Sequence, residues 1–583
     1  MLKILRNLGK REWGLAAVSV GFIVLQVWLE LTMPDYMQKI TMLVQTPGSQ
    51  MSRILREGGM MLLCALGSLV ASVAVAVIVA RIATNFGSGL RARLFSRVQD
   101  FSPAEMGRFS TASLITRSTN DITQVQILIV MGLQVMVKAP ITAAWAIGKI
   151  SAKNQLWTLS TGVAVGTLLV LIAITMLIVM PRFKMIQQLT DDLNRVTREN
   201  LNGIRVVRAY NAEDYQEEKF SRANDNLTNC QLHIQKVMAT MMPGIQLIMS
   251  GLSLSIYWVG AYLIHKAGLP ERAELFANMV TYLSYAIQVV MSFMMLVIVF
   301  IIVPRASVSA KRINEVLDTE PGISDGSHTE GLSRGEVEFR NVSFSYNQGE
   351  EPAIRNISFK AEKGQTVALI GATGSGKTTV INLIPRFYDP TEGQVLVDGR
   401  DVRQYRQEAL RNKIGYVSQK AVLFSGTVAS NVSYGSNSQG TPTEEDIAHA
   451  IAVAQAAEFV EEKPDTYESH VAQGGTNFSG GQKQRLSIAR AIARKPEIFI
   501  FDDSFSALDY RTDRILRDAL KTHCADATKI IVAQRIGTIR DADCILVLDE
   551  GELVGRGTHK ELMTSCEVYR QIAYSQLSKE ELE

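Results

Sequence analysis

The sequence predicts two domains of different class, an α-helical transmembrane domain followed by an α/β domain. Three observations predict this order. Residues 1–304 of the 583-residue chain carry long apolar stretches, whereas residues 335–583 have the composition of an ordinary soluble domain. In the second part, helical segments separate several short apolar strands, which is typical of a largely parallel sheet; the buried strands are predicted at residues 367–370, 395–397, 498–501, 530–533 and 545–548. A glycine-rich segment joins one of these strands to a helix.

Six segments of the first part are apolar over the roughly 20 residues that a membrane-spanning helix needs. Their approximate bounds are 13–33, 60–82, 125–150, 157–180, 242–264 and 275–303. Lys138 and Pro140 interrupt the third segment, so we expect it to begin in the cytoplasm and to enter the membrane later. The first segment resembles a signal peptide in its basic flank, but no small-residue cleavage site follows it, which favours a retained membrane helix.

Loop charge predicts the orientation of these spans. The N-terminal residues and the connections after the second and fourth spans are rich in Lys and Arg, whereas the other connections carry fewer. The basic segments therefore belong inside the cell. An even number of spans returns the second domain to the same side. We predict a multi-pass protein of the cell membrane with both termini and the α/β domain in the cytoplasm.

Charge and composition indicate which binding partners to expect and where the boundary between the two domains lies. The net charge of +3 gives no polyanion-binding signature, so nucleic acid is not an expected partner. The five scattered cysteines predict reduced thiols. The two long basic connections have helical periodicity, with turning points near residues 102–109 and 209–215. Residues 318–335 are rich in Gly, Ser and acidic residues, which predicts a linker between a domain at 1–317 and one at 336–583.

A phosphate-binding loop is predicted at residues 371–379, GATGSGKTT, because this Walker A segment follows an apolar strand and opens a helix. Glycines let backbone amides approach phosphate oxygens, and the helix N-terminus favours negative charge. Lys377 would supply positive charge to the β- and γ-phosphates of ATP, and Thr378 would offer its hydroxyl to Mg²⁺. The residues predicted to bind ATP here are Gly371, Thr373, Gly374, Ser375, Gly376, Lys377, Thr378 and Thr379.

Asp502 follows the apolar strand predicted at 498–501, as the acid of a Walker B motif does. In that position it can hold Mg²⁺ through water.

Residues 478–485, FSGGQKQR, resemble the LSGGQ signature of ATP-binding cassette (ABC) proteins, and their place between Walker A and Walker B is that of the family. Residues 203–213 also look like the second coupling-helix region of ABC exporters. The resemblance covers essentially the whole chain. It implies a six-helix transmembrane domain followed by an α/β P-loop ATPase domain on one polypeptide, an ATP hydrolase coupled to export.

The resemblance also implies roles for further residues. Tyr346 resembles the aromatic residue that stacks on adenine, a surface or core tyrosine being the alternative. Gln419 resembles the Q-loop glutamine that reaches Mg²⁺, and residues 506–509 match the D-loop. In the family, two cassettes dimerise head to tail, so that each ATP lies between the Walker motifs of one and the signature of the other. The residues that would serve a partner's ATP are Ser479, Gly480, Gly481 and Gln482.

Two positions depart from the family pattern. Asp503 stands where active members have the Glu that acts as general base, and its carboxylate lies about 1.5 Å further back. A misplacement of about 1 Å can cost on the order of 100-fold in rate. Gln534 stands where the switch histidine is usual, and it can donate a hydrogen bond but carries no positive charge. We therefore predict that this site binds ATP and hydrolyses it poorly.

The signature is nearly intact, with Phe478 in place of Leu, so it should serve the Walker motifs of a second half-transporter. A homodimer would contain two poor sites. A heterodimer that hydrolyses ATP mainly at the partner's Walker motifs is therefore preferred, and it resembles the heterodimeric multidrug exporters of bacteria.

The membrane part gives hints of a hydrophobic or amphipathic small-molecule substrate. Flexible or aromatic side chains on the sixth span suit a permissive cavity, although helix packing or lipid contact is the alternative for each. They are Met279, Tyr282, Tyr285, Met291, Phe293, Met294, Met295 and Phe300. Glu30 and Lys138 are costly in lipid and should face a cavity, water or a partner. Glu30 either pairs with cationic drugs or makes a polar contact near the outer end of its helix.

Three other functions remain as alternatives: lipid export, peptide export, and a regulatory half that binds ATP without hydrolysing it. An importer is less favoured, because importers of this family mostly keep their membrane and ATPase domains on separate chains.

Overall fold

A computed structural model of the chain describes residues 2–6, 8–46, 48–151, 155–347, 349, 351–435 and 440–576. The chain divides into two compact units. The first, here called the membrane unit, comprises Met1–Gln99 and Thr111–Thr319. The second, here called the ATPase unit, comprises Asp100–Ser110 and Glu320–Glu583. The turning segment predicted near residues 102–109 thus belongs to the ATPase unit.

Six of the described helices are long and apolar enough to cross a bilayer, which confirms the predicted helical transmembrane domain. In chain order, the first to sixth long helices are Lys10–Gln45, Met51–Gln99, Thr111–Ser151, Gln155–Asn202, Glu213–Lys266 and Leu269–Asp318. Shorter helices of this unit are Leu2–Leu5 and Ile204–Ala209. All six long helices exceed the roughly 20 residues that a bilayer requires, so they continue beyond it.

The third long helix is a composite of α-helical and wider π-helical turns. Its successive segments are Thr111–Thr116, Arg117–Asp121 (π), Ile122–Met131, Gly132–Met136 (π) and Val137–Ser151. Pro140 lacks an amide proton and would clash with the carbonyl four residues earlier in a regular helix. That residue is Met136, the last of a π turn, so the widened turn accommodates the proline and the helix continues through it.

The sixth long helix buries most of the residues that suggested a cavity. Tyr282 and Tyr285 are fully buried, Met279 is buried, and Phe293 and Met294 pack against the same core. The Tyr282 ring lies 5.1 Å from the ring of Trp157 on the fourth long helix. Two methionines remain open, Met291 with 42% and Met295 with 40% of the residue surface exposed. The side chain of Phe300 lies outside the described residues.

The ATPase unit has an α/β core, as predicted. Its described strands are β1 (Val337–Phe344), β2 (Ile354–Ala361), β3 (Thr366–Ile370), β4 (Glu392–Val397), β5 (Arg400–Asp401), β6 (Ile414–Val417), β7 (Gly426–Thr427), β8 (His470–Val471), β9 (Ile498–Asp502), β10 (Thr528–Val532), β11 (Cys544–Asp549) and β12 (Glu552–Gly557). Six of them form a sheet in the order β12-β11-β3-β10-β9-β6. All of its pairs are parallel except β11 with β12.

A second sheet, in the order β2-β1-β4-β5, is antiparallel, and β7 pairs with β8. The strand predicted at residues 395–397 belongs to this antiparallel sheet as part of β4, not to the parallel one. An apolar run that is buried in either sheet has the same pattern, so the sequence does not distinguish them.

Helices flank these sheets. The α-helices of the ATPase unit are Pro103–Arg108, Lys377–Leu383, Gln407–Asn412, Val428–Val432, Glu444–Val453, Ala457–Glu461, Gly480–Ala493, Tyr510–His523, Ile536–Ile539, His559–Ser565 and Glu567–Gln576, with 3₁₀ turns at Val402–Gln404, Thr466–Glu468 and Gln473–Gly475. The segment predicted as a linker is bound to this unit by backbone hydrogen bonds. They include Leu332 N to Asp398 O, 2.7 Å, and Arg406 N to His328 O, 2.8 Å.

The parallel sheet places three loops at one edge. Leu369 of β3 pairs with Val532 of β10, which pairs with Asp502 of β9. The carboxyl ends of these neighbouring strands therefore coincide, and the segments that follow them converge. Ligands of open α/β sheets bind at this edge.

Candidate nucleotide-binding site

The loop between β3 and the helix Lys377–Leu383 depends on glycine at two positions. A Cβ on Gly371 would lie 2.0 Å from the carbonyl oxygen of Leu548. Gly376 has φ +92°, and a Cβ there would lie 2.5 Å from Cγ2 of Ile354. Side chains are therefore excluded, because the backbone is left-handed at Gly376 and closely packed at both positions. The loop stays tight against the core while Thr373 and Gly374 are exposed.

Lys377 folds back over this loop. Its Nζ donates to the carbonyl oxygens of Gly371 (2.9 Å) and Ala372 (2.7 Å) and to Oγ of Ser375 (3.2 Å). Burial lowers the pKa of Lys377, although the nearby charges of Asp503 and Asp502 oppose the shift. These three acceptors are neutral, and a phosphate group would offer the ammonium a negatively charged acceptor in their place. The residues present therefore fit a bound polyphosphate.

Asp502 and Thr378 form the next part of the site. Thr378 Oγ1 donates to Oδ1 of Asp502 over 3.2 Å. Burial raises the pKa of Asp502, which the hydrogen bond from Thr378 partly offsets. A hydroxyl and a carboxylate side by side offer the hard oxygen ligands that Mg²⁺ prefers, and a cation would compensate the buried carboxylate. The donor set fits this metal.

Asp503 lies between two amide side chains. Gln534 donates from Nε2 to its Oδ2 over 2.9 Å, and Gln419 donates to the same oxygen over 3.5 Å. The backbone of Asp503 is left-handed, with φ +46°, which Asp tolerates better than most residues. Burial raises the pKa of Asp503, and hydrogen bonds from Ser506 and Gln419 oppose the shift. The two residues that depart from the family pattern are thus in direct contact.

Tyr346 stands beside the phosphate-binding loop with 49% of its surface exposed. Its hydroxyl lies 3.0 Å from Oγ1 of Thr379. Edge-on contacts with the rings of Phe344 and Tyr388 fix its orientation, at centroid distances of 5.0 and 5.4 Å. The ring is thereby held near the loop while part of it stays accessible, an arrangement that suits stacking on a base.

The signature residues begin a separate helix, Gly480–Ala493. Ser479 caps it: Gln482 N donates to Ser479 Oγ (3.3 Å), and Ser479 N donates to Gln482 Oε1 (3.0 Å). Phe478 points into the core, where its ring meets that of Phe459 at 6.3 Å. Phenylalanine in place of leucine therefore changes the packing beneath the signature and leaves Ser479 and Gly480 exposed.

The described contacts join most of the predicted residues into one site. Lys377, Thr378, Asp502, Asp503, Gln419 and Gln534 lie at the carboxyl edge of the parallel sheet, and Tyr346 is attached through Thr379. Ser479 and Gln482 form their own group at the signature helix. The residues at the sheet edge and the signature residues thus form two separate groups, as expected of a site that a second cassette completes.

Sequence reasoning missed Arg490, which fastens the signature helix to the segment after Gln419. Its guanidinium donates to the carbonyl oxygens of Asn431 (2.8 Å) and Val422 (2.9 Å). It also contacts the rings of Phe424 and Tyr434, 5.6 and 5.3 Å from their centroids. The available signal was an arginine within the apolar run at residues 488–492, where a charge is retained only with partners.

Comparison with known proteins gives consistent matches over both units. A family model described as the ABC transporter transmembrane region matches residues 16–293, and one described as ABC transporter matches residues 354–506. An uncharacterized ABC transporter ATP-binding protein of Mycobacterium tuberculosis strain H37Rv is 40% identical over 524 residues, 89% of this chain and 87% of that protein. An ATP-dependent lipid A-core flippase of Pseudomonas fluorescens strain Pf-5 is 33% identical over 497 residues, 85% of this chain and 80% of that protein.

The fold has a counterpart among solved structures. A bacterial Atm1-family ABC exporter with ATP bound aligns with a TM-score of 0.78 and 23% sequence identity. The alignment covers 97% of this chain and 98% of that one, so the order of a helical membrane domain and an α/β domain is the same in both.

Proposed function

Because this chain belongs to the ABC transporter family, we propose that it is the weakly hydrolysing subunit of a heterodimeric exporter of hydrophobic or amphipathic compounds. The chain is an exporter-type half-transporter, a multi-pass membrane protein with a cytoplasmic ATPase domain that binds ATP. Exporters of this family act as dimers in a lipid bilayer and couple ATP hydrolysis to transport. The identity of the second subunit, the division of labour between the two ATP sites and the substrate are the proposed parts.

The hydrogen bond between Gln534 and Asp503 carries the proposal. A general base must present a carboxylate oxygen to the attacking water. At Asp503 the carboxylate is set back by one methylene, and its Oδ2 already accepts from Gln534 and Gln419. Gln534 also brings no positive charge to a transferring phosphate. The site therefore holds Mg²⁺-ATP through Lys377, Thr378, Gln419 and Asp502 but turns it over slowly.

The signature supports the other half of the proposal. Ser479 is exposed at the start of its helix, and both of its capping bonds are formed. This exposure supports the proposed contact with an ATP held by a partner's Walker motifs. A homodimer would carry two weak sites, so we propose a partner half-transporter that supplies a Glu and a His at the matching positions. Both termini are proposed to lie in the cytoplasm, from the basic flanks and the even number of spans.

Two substitutions in this chain test the division of labour within the assembled dimer. Ser479→Ala should lower ATP turnover at least about tenfold, because it removes a hydrogen-bond donor from the partner's hydrolytic site. Asp503→Asn should change turnover less than about twofold, since little hydrolysis occurs there. If Asp503→Asn abolishes turnover, or if this chain alone hydrolyses ATP rapidly, the proposal is wrong. Trapped nucleotide should persist in this chain's site after several turnovers.

Two exposed methionines support an amphipathic substrate. Met291 and Met295 remain exposed on the sixth long helix, and flexible apolar side chains suit ligands of varied shape. Lipid export is the second candidate, because the chain is 33% identical to lipid A-core flippases over most of their length. Dye efflux from cells that express both subunits, compared with flipping of labelled lipids in proteoliposomes, distinguishes the two. Efflux without lipid flipping supports the first candidate.

A further inference from the structure

Glu30 and Lys138, two ionisable residues within spanning helices, are paired with each other. Lys138 Nζ on the third long helix lies 2.9 Å from Oε1 of Glu30 on the first. The same oxygen accepts from Gln26 Nε2 (2.8 Å) and from Ser68 Oγ on the second long helix (3.3 Å). The side chains of Glu30 and Lys138 are 24% and 25% exposed. The pair therefore has partners within the chain but can still be reached from outside it.

The pair retains unused hydrogen-bonding capacity. Within the described residues, all three donors reach Oε1 of Glu30, which leaves Oε2 as a further acceptor. An ammonium has three N–H donors, and Lys138 uses one of them in its described bond. A negatively charged acceptor, Oε2 of Glu30, and positively charged donors, the remaining N–H groups of Lys138, thus lie close to each other.

Charge balance decides which ligand such a pair accepts. The pair is neutral as a whole, and an uncompensated charge is costly in the membrane interior. A ligand with a single positive charge could bind Oε2 of Glu30, but the ligand and the pair together would then carry a net charge of about one unit. An anionic ligand bound to Lys138 would leave a net charge of the same size and opposite sign. A ligand that carries both charges binds both residues and leaves the group neutral.

We propose that Glu30 and Lys138 form a binding site for the headgroup of zwitterionic amphiphiles, with an ammonium at Glu30 and a carboxylate, sulfonate or phosphate at Lys138. The proposal rests on the proposed export of amphipathic compounds and names their charge class. Of the two roles expected for Glu30, the structure shows a polar contact, the pair with Lys138, and the proposal adds a ligand ammonium at its second carboxylate oxygen.

A second pair between the same two helices provides a contrast. Lys149 contacts Oδ2 of Asp35, while the hydroxyl of Tyr285 donates to Oδ1 over 2.6 Å. Both carboxylate oxygens are therefore engaged. This pair has the same charges as the first, but each of its carboxylate oxygens already has a partner, so it serves as a matched control.

Binding of three dodecyl amphiphiles to the assembled dimer in phosphatidylglycerol nanodiscs tests the proposal. The probes are dodecyl betaine, dodecyltrimethylammonium and laurate, at concentrations below micelle formation. We expect the betaine to bind at least about tenfold more tightly than either singly charged probe. Lys138→Gln should shift the preference to the cation, Glu30→Gln should shift it to the anion, and Lys149→Gln should leave it unchanged. Equal affinities in the parent dimer, or an unchanged preference in Lys138→Gln, would overturn the proposal.

The neutral double variant Glu30→Gln/Lys138→Gln covers the case in which a single substitution prevents folding. It leaves no unpaired charge, and it should bind the three probes with similar affinity; a retained preference for the betaine would contradict the site.

Competition by phosphatidylcholine identifies a membrane lipid as the source of the headgroup, whereas competition by soluble betaines alone identifies a free amphiphile. Charge-selective binding without export of any amphiphile would refute the proposed function and leave the site standing. Export of an amphiphile without charge-selective binding would support the proposed function and refute the site.

Discussion

Gln534 donates a hydrogen bond from Nε2 to Oδ2 of Asp503 over 2.9 Å, joining the loops that follow β10 and β9. The amide of Gln534 therefore contacts the carboxylate that stands at the position of the general base. Gln419 approaches the same oxygen from a third loop, at 3.5 Å. Asp503 and Gln534, the two departures from the family pattern, therefore act as a pair, because the amide of one is bonded to the carboxylate of the other. A change at one position should consequently alter the effect of a change at the other.

The double variant Asp503→Glu/Gln534→His should restore hydrolysis at this chain's own site. The longer acid regains the missing methylene, and histidine can present a charge to the phosphate. Because the two residues are bonded, we expect the double variant to exceed the product of the single effects in single-turnover ATP hydrolysis. The assay uses the dimer with the partner's site inactivated. A double variant no faster than Asp503→Glu alone would contradict the coupling.

Asp503→Glu should also have a stability cost that Gln534→His lacks. The backbone at Asp503 has φ +46°, a conformation that costs most residues on the order of 1–2 kcal/mol. Asp is tolerated there more readily than Glu. We therefore expect a small fall in the unfolding temperature of the Asp503→Glu variant, read by thermal unfolding without nucleotide. An equal fall in Gln534→His would assign the effect to lost contacts instead of the backbone.

The local parts of the site could be predicted from the sequence, whereas contacts between distant elements could not. The loop at residues 371–379 needs only a strand before it and a helix after it, and both are visible in the apolar pattern. Asp503 and Gln534 were each found by position, but their bond depends on how two loops meet. Likewise, periodicity identified the helices that carry Glu30 and Lys138 and could not say which of their faces meet. Arg490 was missed because its acceptors, two backbone carbonyls and Oδ1 of Asn431, lie far from it in the sequence, so its position in an apolar run did not identify its partners.

Arg490→Lys should destabilise the ATPase unit and weaken coupling between its signature helix and the segment after Gln419. Lysine keeps the charge but cannot bond two carbonyls and lie against two rings at once. Leaving a buried acceptor unpaired costs about 1–3 kcal/mol, and each 1 kcal/mol lowers the unfolding temperature of a domain of this size by about 2–4 °C. Thermal unfolding and ATPase activity of the dimer measure the two effects. Arg514→Lys, on an exposed helix position, is the control and should leave both unchanged.

Acidification should weaken the C-terminal helix pair through His559. Burial lowers the pKa of His559 below its usual 6.5, and its Nδ1 lies 2.8 Å from the hydroxyl of Tyr569. The folded protein therefore binds fewer protons there than the unfolded chain, so stability is full above pH 6.5 and declines as the pH falls towards the lowered value. Unfolding temperatures measured from about pH 8 to pH 5.5 should show this decline, and His559→Gln should reduce it. An identical pH dependence in both proteins would exclude His559 as its source.

Phe478→Leu restores the family residue in the signature, yet we expect it to lower stability without raising ATP turnover. Phe478 is buried against the ring of Phe459, and Lys463 Nζ lies 4.6 Å from the centroid of its ring. Leucine would fill this space incompletely, at a cost of about 1 kcal/mol or more. The exposed Ser479 and the capping bonds that fix it do not involve the ring. Turnover per folded dimer should therefore stay within about twofold of the parent while the unfolding temperature falls by about 2–4 °C. A marked rise in turnover would show that Phe478, through the position of Ser479, limits hydrolysis at the partner's site.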